Sequence, residues 1–324
     1  MEFVNLGQAG LKVSRLCLGT MVFGAQCDEV QSALVLDAAA ELGINFLDTA
    51  DVYPVPPDLK TAGRTEEIVG RWLRGKRDRF VVATKFTNPM GPGPNDQGGG
   101  RKHVIEACEA SLRRLGVERI DLYYMHRTDE STPVDETLEA LDRLVQDGKI
   151  FYVGLSNFEA WQLGLAQAIV RERRLAAISA LQPRYNLLFR QPERDLFPFC
   201  RAAGIGVMPY NPLGAGMLTG KYQRGQEPPP ESRFGWGEYG QMYQGRYWSE
   251  EMFSVVGALM QVAEQEGMTP AQAALAWVLS RDAVTSPIVG ASRPEQLRET
   301  VKSLEVRLSE QAVAKLDEAS KTFL

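Results

Sequence analysis

Four side chains suited to moving a proton stand at or just beyond the ends of short apolar runs. Asp48 and Tyr53 lie in "FLDTADVY", Lys85 closes "VVATKF", and His126 follows "DLYYM". A phenol is a weak acid near neutrality, since its ordinary pKa is about 10. An ammonium beside it stabilises the phenolate and is expected to draw that pKa down toward the working range. Asp48 would hold Lys85 charged and offset the desolvation cost of burying an ammonium. His126 would hydrogen-bond a substrate carbonyl and orient it. Such a set owns an acid but no nucleophile and no metal, so the electrons for any reduction must come from another molecule. Each residue also has a plainer reading: a solvated lysine, a hydrogen-bonded structural histidine, a packing tyrosine, an aspartate capping a helix. The helix "TEEIVGRWL" begins well beyond Asp48, which counts against the cap. The chemistry requires that the four converge on one rim.

The elements that would bring them there follow a βα alternation. Short apolar runs of the kind buried on both faces recur at Leu16–Leu18, Asn45–Leu47, Phe80–Thr84, Ile120–Met125, Ile150–Leu155, Ile178–Leu181, Ile205–Met208 and Pro287–Val289. Segments with helical periodicity separate them. Thr132-Pro133 and the capping box of Thr269 with Gln272 mark helix starts, and Gly75, Gly116, Gly148 and Gly204 mark helix ends. Eight strands with intervening helices predict an α/β fold, a (β/α)8 TIM barrel, in one domain over residues 1–324. "FVNLGQAGLKV" predicts an N-terminal hairpin ahead of the first barrel strand. Two connections exceed a minimal barrel, "TNPMGPGPNDQGGG" after the third strand and the aromatic "YQRGQEPPPESRFGWGEYGQMYQGRYW" after the seventh. Both follow strand C-termini, the face on which barrels carry their sites, so they are candidate lids and substrate walls. The aromatic one has a second reading, a loop that packs itself down.

Composition excludes other classes. Among 324 residues, 44% hydrophobic and 24% charged, the net charge is −5 and the pI about 5.4, so no basic face for nucleic acid is expected. Cys17, Cys27, Cys108 and Cys200 are scattered and only two histidines occur, which argues against a zinc site and fits a reducing compartment. The start "MEFVNLGQ" lacks the features of a signal peptide and no apolar run approaches a membrane span, so a cytoplasmic protein acting on a small molecule is expected.

"GINFLDTADVY", "RLGVERIDLYYMHR", "GLSNF", "LQPRYN", "PYNPLGAGMLTGKY" and "IVGASRPEQLRET", in this order and spacing, resemble the aldo-keto reductase superfamily over nearly the whole chain. That resemblance implies a barrel that binds NADPH (NADP+) without a Rossmann fold and a catalytic tetrad of Asp48, Tyr53, Lys85 and His126. Neither "GPGPNDQGGG" nor "GAGMLTG" fits G-x-G-x-x-G in a strand-to-helix context, which agrees. It also implies that Ser156, Asn157 and Gln182 hydrogen-bond the nicotinamide carboxamide and that Tyr210 stacks on its ring, with Thr20 and Met21 among the cofactor contacts. Asn211, the backbone around Leu213 and Gly216, Lys221 and Arg233 would meet the pyrophosphate, with glycine permitting close approach. The helix opened by "GASRPEQLRET" would meet the adenosine phosphate. Ser292 with Glu295 is equally an ordinary capping box. Where the aldose-reductase-like branch has Lys, Arg and Asn, this chain has Gly290, Gln296 and Thr300. Ser292, Arg293, Gln296 and Glu299 resemble the branch containing the potassium-channel β-subunits, and Arg293 is expected to grip a 2′-phosphate, favouring NADPH over NADH. The family's Tyr-Gly is replaced by "YPVPPDLKTAG", a proline-rich loop beside Tyr53.

The expected activity is reduction of an aldehyde or ketone to an alcohol. Phe23, Phe86, Met90 and Trp236 are expected to make an apolar substrate pocket; Arg127 has two readings, a contact with an acidic group of the substrate and, the one favoured, a surface ion pair. Two other readings stay open. One is a non-catalytic, cofactor-sensing subunit like the channel β-subunits, in which the histidine is replaced by asparagine. The other is a Schiff-base lyase using Lys85.

Overall fold

The computed structural model describes residues 1–324. A hairpin of β1 (Phe3–Asn5) and β2 (Lys12–Ser14) precedes eight parallel strands. These are β3 (Cys17–Gly19), β4 (Phe46–Asp48), β5 (Val81–Phe86), β6 (Ile120–Met125), β7 (Ile150–Ser156), β8 (Ile178–Gln182), β9 (Gly206–Val207) and β10 (Ile288–Gly290). Each pairs with the next, and β10 returns to pair with β3. The remaining gap is closed by backbone bonds from Thr285 N to Val207 O (2.8 Å) and from Ile288 N to Pro209 O (2.8 Å). The expected (β/α)8 barrel is the architecture found. No helix is long and apolar enough to cross a membrane.

Strand periodicity sorts the side chains into two cores. Successive residues point to opposite faces of a strand. Leu18, Leu47, Val82, Phe86, Tyr123 and Leu155 therefore join the cluster of 69 buried residues between strands and helices. Cys17, Phe46, Val81, Ala83, Leu122, Tyr124, Ala180, Met208 and Ile288 point inward and form a separate cluster of 11 with Leu6 and Val13. These last two come from the hairpin side of the barrel, so the hairpin plugs the end where the strands begin. The same parity carried upward points Asp48, Lys85, His126, Ser156, Gln182 and Tyr210 inward at the other end.

The interior is tight enough at Gly154 to demand glycine. A Cβ on Gly154 would lie 2.3 Å from the Tyr124 ring, its partner across the β6–β7 ladder. Gly154→Ala is expected to cost about 1–3 kcal/mol by overpacking, read as a lower denaturation midpoint. An unchanged midpoint would show that the ring gives way instead.

The cap chemistry read from sequence has mixed outcomes. Gly116 and Gly204 end helices in left-handed conformation, and Thr269 with Gln272 forms its capping box. The Ser292–Glu295 box does not form. Gln296, one residue later, accepts from Ser292 N (2.9 Å) and Oγ (3.0 Å) in its place, because the helix begins only at Pro294. The aromatic connection after β9 folds into a short turn at Arg233–Gly235 and a helix over Gly237–Tyr247. Both readings of it hold in part. Phe234 and Trp248 pack on Tyr222 with ring centroids 5.1 and 5.3 Å away, while Trp236, Tyr239 and Tyr243 border a cavity.

Candidate active site

A cavity of about 950 Å³ opens at the C-terminal ends of the strands and runs from Tyr53 and His126 to the helix over Pro294–Val301. Its floor is a polar cluster that satisfies itself. Lys85 is fully buried, and its Nζ donates to Asp48 Oδ1 at 2.5 Å and to Thr49 O at 2.7 Å. The second oxygen of Asp48 accepts from Gln182 Nε2 at 2.8 Å. Burial pushes the Asp48 carboxyl above its usual range, and the Lys85 charge and the two side-chain donors pull it back. Lys85 does not border the cavity; its ammonium lies 5.1 Å from the centroid of the Tyr53 ring, which covers it.

Tyr53 and His126 are half-buried and open onto the cavity, their rings edge-on with centroids 6.0 Å apart. The expected depression of the Tyr53 pKa does not occur. Burial pushes its phenol well above the ordinary value, and the Asp48 charge adds to this. The physical reason is burial first, and then Asp48, whose charge stands beside the Lys85 ammonium at hydrogen-bond distance and raises the phenol pKa in its turn. His126 moves the other way. Burial, with the charges of Lys85 and Arg127, holds its imidazole well below the ordinary histidine range, so the ring is neutral.

Sequence reasoning missed the partner of that ring. Asn88 Nδ2 lies 2.8 Å from His126 Nδ1. Asn88 follows Thr87, a β-branched residue with φ of 111°, an unusual conformation for which the surroundings must compensate. Thr87 O accepts from Gly98 N at 2.8 Å and its Oγ1 accepts from His126 N at 3.2 Å. The strained turn is thus tied to both neighbours and directs the next side chain at the imidazole. No spacing rule signals this, since the turn breaks the parity of β5.

Behind Tyr53, Asp51 is fully buried with both carboxylate oxygens lacking a hydrogen-bond partner. Burial, then the nearby Glu66 charge, pushes its carboxyl well above the ordinary range.

All the residues expected at the cofactor border the cavity except Arg293, which is exposed outside it. Asn157, in left-handed conformation, donates from Nδ2 to His126 O (2.9 Å) and Ser156 Oγ (3.1 Å) and accepts from Tyr210 OH (2.8 Å). It therefore fixes Tyr210. Gln182 spends its amide on Asp48 but keeps Oε1 free, and Ser156 Oγ donates to Gln182 O at 2.8 Å. Ala215 and Gly216 have φ of 57° and 97°, a turn that lies beside Lys221. Arg233 reaches from the long connection to Asn211 Oδ1 (3.4 Å) and lies against Gly290 across the cavity mouth. Glu299 is fixed by Gln272 Nε2 and Lys302 Nζ, each at 2.8 Å.

Of the expected substrate pocket only Trp236 borders the cavity. Phe23 and Phe86 are fully buried in the outer core, and Phe86 stacks on Tyr123 at 4.9 Å. Parity explains this: with Lys85 inward, Phe86 must point outward. Met90 lies in the loop after β5, away from the cavity, where its N donates to Asp96 O. Val52, Val55, Tyr239 and Tyr243 take the places of these residues. Arg127 makes no ion pair; it is exposed at the cavity edge.

The aldo/keto reductase family model matches residues 15–321. The chain is 37% identical over 325 residues to an uncharacterized oxidoreductase of Bacillus subtilis, YrpG, covering 98% of this chain and 95% of that protein. It is 38% identical over 311 residues to a probable voltage-gated potassium channel subunit beta of Arabidopsis thaliana, covering 94% and 92%. It is 35% identical over 328 residues to an L-glyceraldehyde 3-phosphate reductase of Escherichia coli, covering 98% and 92%. A barrel with Tyr53, a neutral imidazole and a buried lysine–aspartate pair at one cavity, together with a family match over almost its full length, makes the chain a member of the aldo/keto reductase family.

Proposed function

We propose that the chain is an NADPH-dependent reductase of aldehydes or ketones, with Tyr53 as the acid. The observation that carries this reading is the meeting of Tyr53 OH and His126 at one cavity above the Lys85–Asp48 pair. When bound, reduced nicotinamide dinucleotide supplies the hydride. The cavity suits such a ligand: about 950 Å³ is ample, the turn at Ala215–Gly216 brings backbone amides close, and Lys221 and Arg233 supply positive charge. Ser156 and Gln182 would hold the carboxamide, Tyr210 the ring face, and Gln296 with Ser292 the adenosine end. Arg293 would have to swing inward to meet a 2′-phosphate.

A substrate carbonyl would accept hydrogen bonds from Tyr53 OH and His126 Nε2. For Nε2 to donate, Nδ1 must accept, and the Asn88 amide supports that tautomer. As negative charge grows on the carbonyl oxygen, Tyr53 releases its proton to it, and the adjacent Lys85 ammonium stabilises the phenolate left behind. The raised phenol pKa keeps Tyr53 protonated until that moment. The test is loss of NADPH absorbance with a carbonyl panel, repeated with NADH. Absence of turnover with every carbonyl would refute the reading.

Both shifts make a pH prediction. Tyr53 loses its proton only above its ordinary range, and His126 gains one only below its own. Reduction measured as kcat/KM should therefore be level from about pH 6.5 to about pH 10, the ordinary values of the two groups. An inflection between these limits would contradict the assignment of either group.

A regulatory reading draws on the channel-subunit relative. It requires no proton donor pair, whereas here both Tyr53 and His126 face the cavity. The lyase reading needs a free amine, and Lys85 is committed to Asp48 and Thr49.

A further inference from the structure

Four cations border the cavity: Lys221, Arg233, Arg246 and Arg127. The first two lie along the segment assigned above to the dinucleotide phosphates. The other two have no such employment. Neither Arg246 nor Arg127 appears in any ion pair of the chain, so each presents an uncompensated guanidinium to the cavity.

Their placement is set by separate elements. Tyr239, Tyr243 and Arg246 stand at i, i+4 and i+7 of the helix over Gly237–Tyr247, a spacing that puts them on one face. All three border the cavity with Tyr53. The phenols of Tyr239 and Tyr243 lie near enough to Tyr53 to raise its pKa or to have their own raised by it, and the Arg246 charge acts on Tyr239 and Tyr210 in the opposite sense. Arg246 thus shares a helix face with two residues that line the same cavity as Tyr53. Arg127 directly follows His126 at the end of β6, a different element from the helix of Arg246, and also borders a smaller polar cavity with Asp129, Glu130 and Glu136. The acids that also border the cavity are elsewhere engaged or elsewhere placed. Asp48 is held by Lys85 and Gln182, and Glu299 by Gln272 and Lys302. Glu231 lies two residues before Arg233, and Glu295 lies on the helix at the far end.

Resting on the reductase reading, we propose that the substrate is an anionic carbonyl compound, whose carboxylate or phosphate is gripped by Arg246 and Arg127 while its carbonyl meets Tyr53 and His126. Guanidinium forks bind such groups with two parallel hydrogen bonds, which fixes orientation as well as affinity.

The test compares matched pairs with NADPH: 4-carboxybenzaldehyde against benzaldehyde, and glycolaldehyde phosphate against glycolaldehyde. The charged member of at least one pair is expected to have the higher kcat/KM, and which pair does so distinguishes carboxylate from phosphate. In Arg246→Gln that preference should fall roughly 10- to 100-fold through KM, the worth of a charged hydrogen bond. Arg246→Lys should restore part of it, and Arg127→Gln should lower it as well. A charged member no better than its neutral partner in the parent protein, or a preference untouched by both Gln substitutions, would overturn the proposal. If no carbonyl of either pair turns over, the reductase reading fails instead. Calorimetric titration of the NADP+-mixed protein with benzoate and with benzamide then decides the anion site by itself: equal affinity overturns it, and tighter benzoate binding lost in Arg246→Gln supports it.

Discussion

Tyr53→Phe is expected to lower kcat for carbonyl reduction by roughly 10²–10⁴-fold, the usual worth of a positioned general acid. The substitution removes one oxygen from a half-buried ring and leaves the ring over Lys85 in place. Folding should be preserved, because Tyr53 OH has no hydrogen-bond partner in the protein to lose. Quenching of NADPH fluorescence on binding should persist, since the dinucleotide is assigned to other side chains of the cavity, among them Ser156, Gln182, Tyr210, Lys221 and Gln296. The two readouts together carry the argument. Loss of both would mean that the variant has misfolded or that Tyr53 contributes mainly to binding. Retention of turnover would mean that another group donates the proton, and His126 is the nearest candidate. Its neutral ring can give up a proton only from Nε2, which would leave an imidazolate, so it is a poor substitute.

The barrel, and the meeting of Asp48, Lys85 and His126 at one end of it, were legible because both rest on strand order and parity. A run such as "VVATKF" tells the reader that Lys85 and Ala83 share a face, and eight such runs in alternation with helices leave few ways to close the sheet. Parity also corrects the expected substrate pocket: Phe86 follows Lys85 on β5, and neighbours on a strand cannot share a face. The strand ends were misplaced by up to two residues, and β5 runs to Phe86 rather than stopping at Thr84. Asn88 was not legible at all. Its orientation depends on a backbone turn at Thr87 that a β-branched residue adopts only when tertiary bonds hold it there. Arg246 was hidden for a different reason. Its position depends on a helix within a connection whose Gly and Pro content reads as irregular, and helical spacing becomes informative only once that helix exists. The direction of the Tyr53 shift required coordinates, since it is set first by burial of the phenol and then by the charge of Asp48, which sits 2.5 Å from the Lys85 ammonium.

That bond gives the second large effect. Lys85→Met keeps the length of the side chain but leaves Asp48 buried with Gln182 as its one side-chain donor. Removing one partner of a buried pair typically costs about 3–5 kcal/mol, because the other charge stays uncompensated. Denaturation of the variant should register a loss of that order at neutral pH. The sign of its pH dependence follows from the carboxyl. Burial already raises the Asp48 pKa, and deleting Lys85 removes both its charge and its hydrogen bond, the chief lowering influences. In the variant the folded state holds the proton to a higher pH than the unfolded chain does, so stability falls as pH rises between the unfolded and folded pKa values. The deficit should shrink as pH is lowered toward about 4, the ordinary carboxyl value. Asp48→Asn with Lys85→Met removes both charges and should recover much of the stability at neutral pH, because a neutral amide is cheaper to bury than a lone carboxylate. Activity should not recover with it. The double variant has no cation beneath the phenol, so the phenolate formed after proton release is stranded in a poorly solvated site. Equal stability of the parent and Lys85→Met would show that water reaches Asp48. Recovery of turnover in the double variant would show that the pair is structural and that Tyr53 works without a charge behind it.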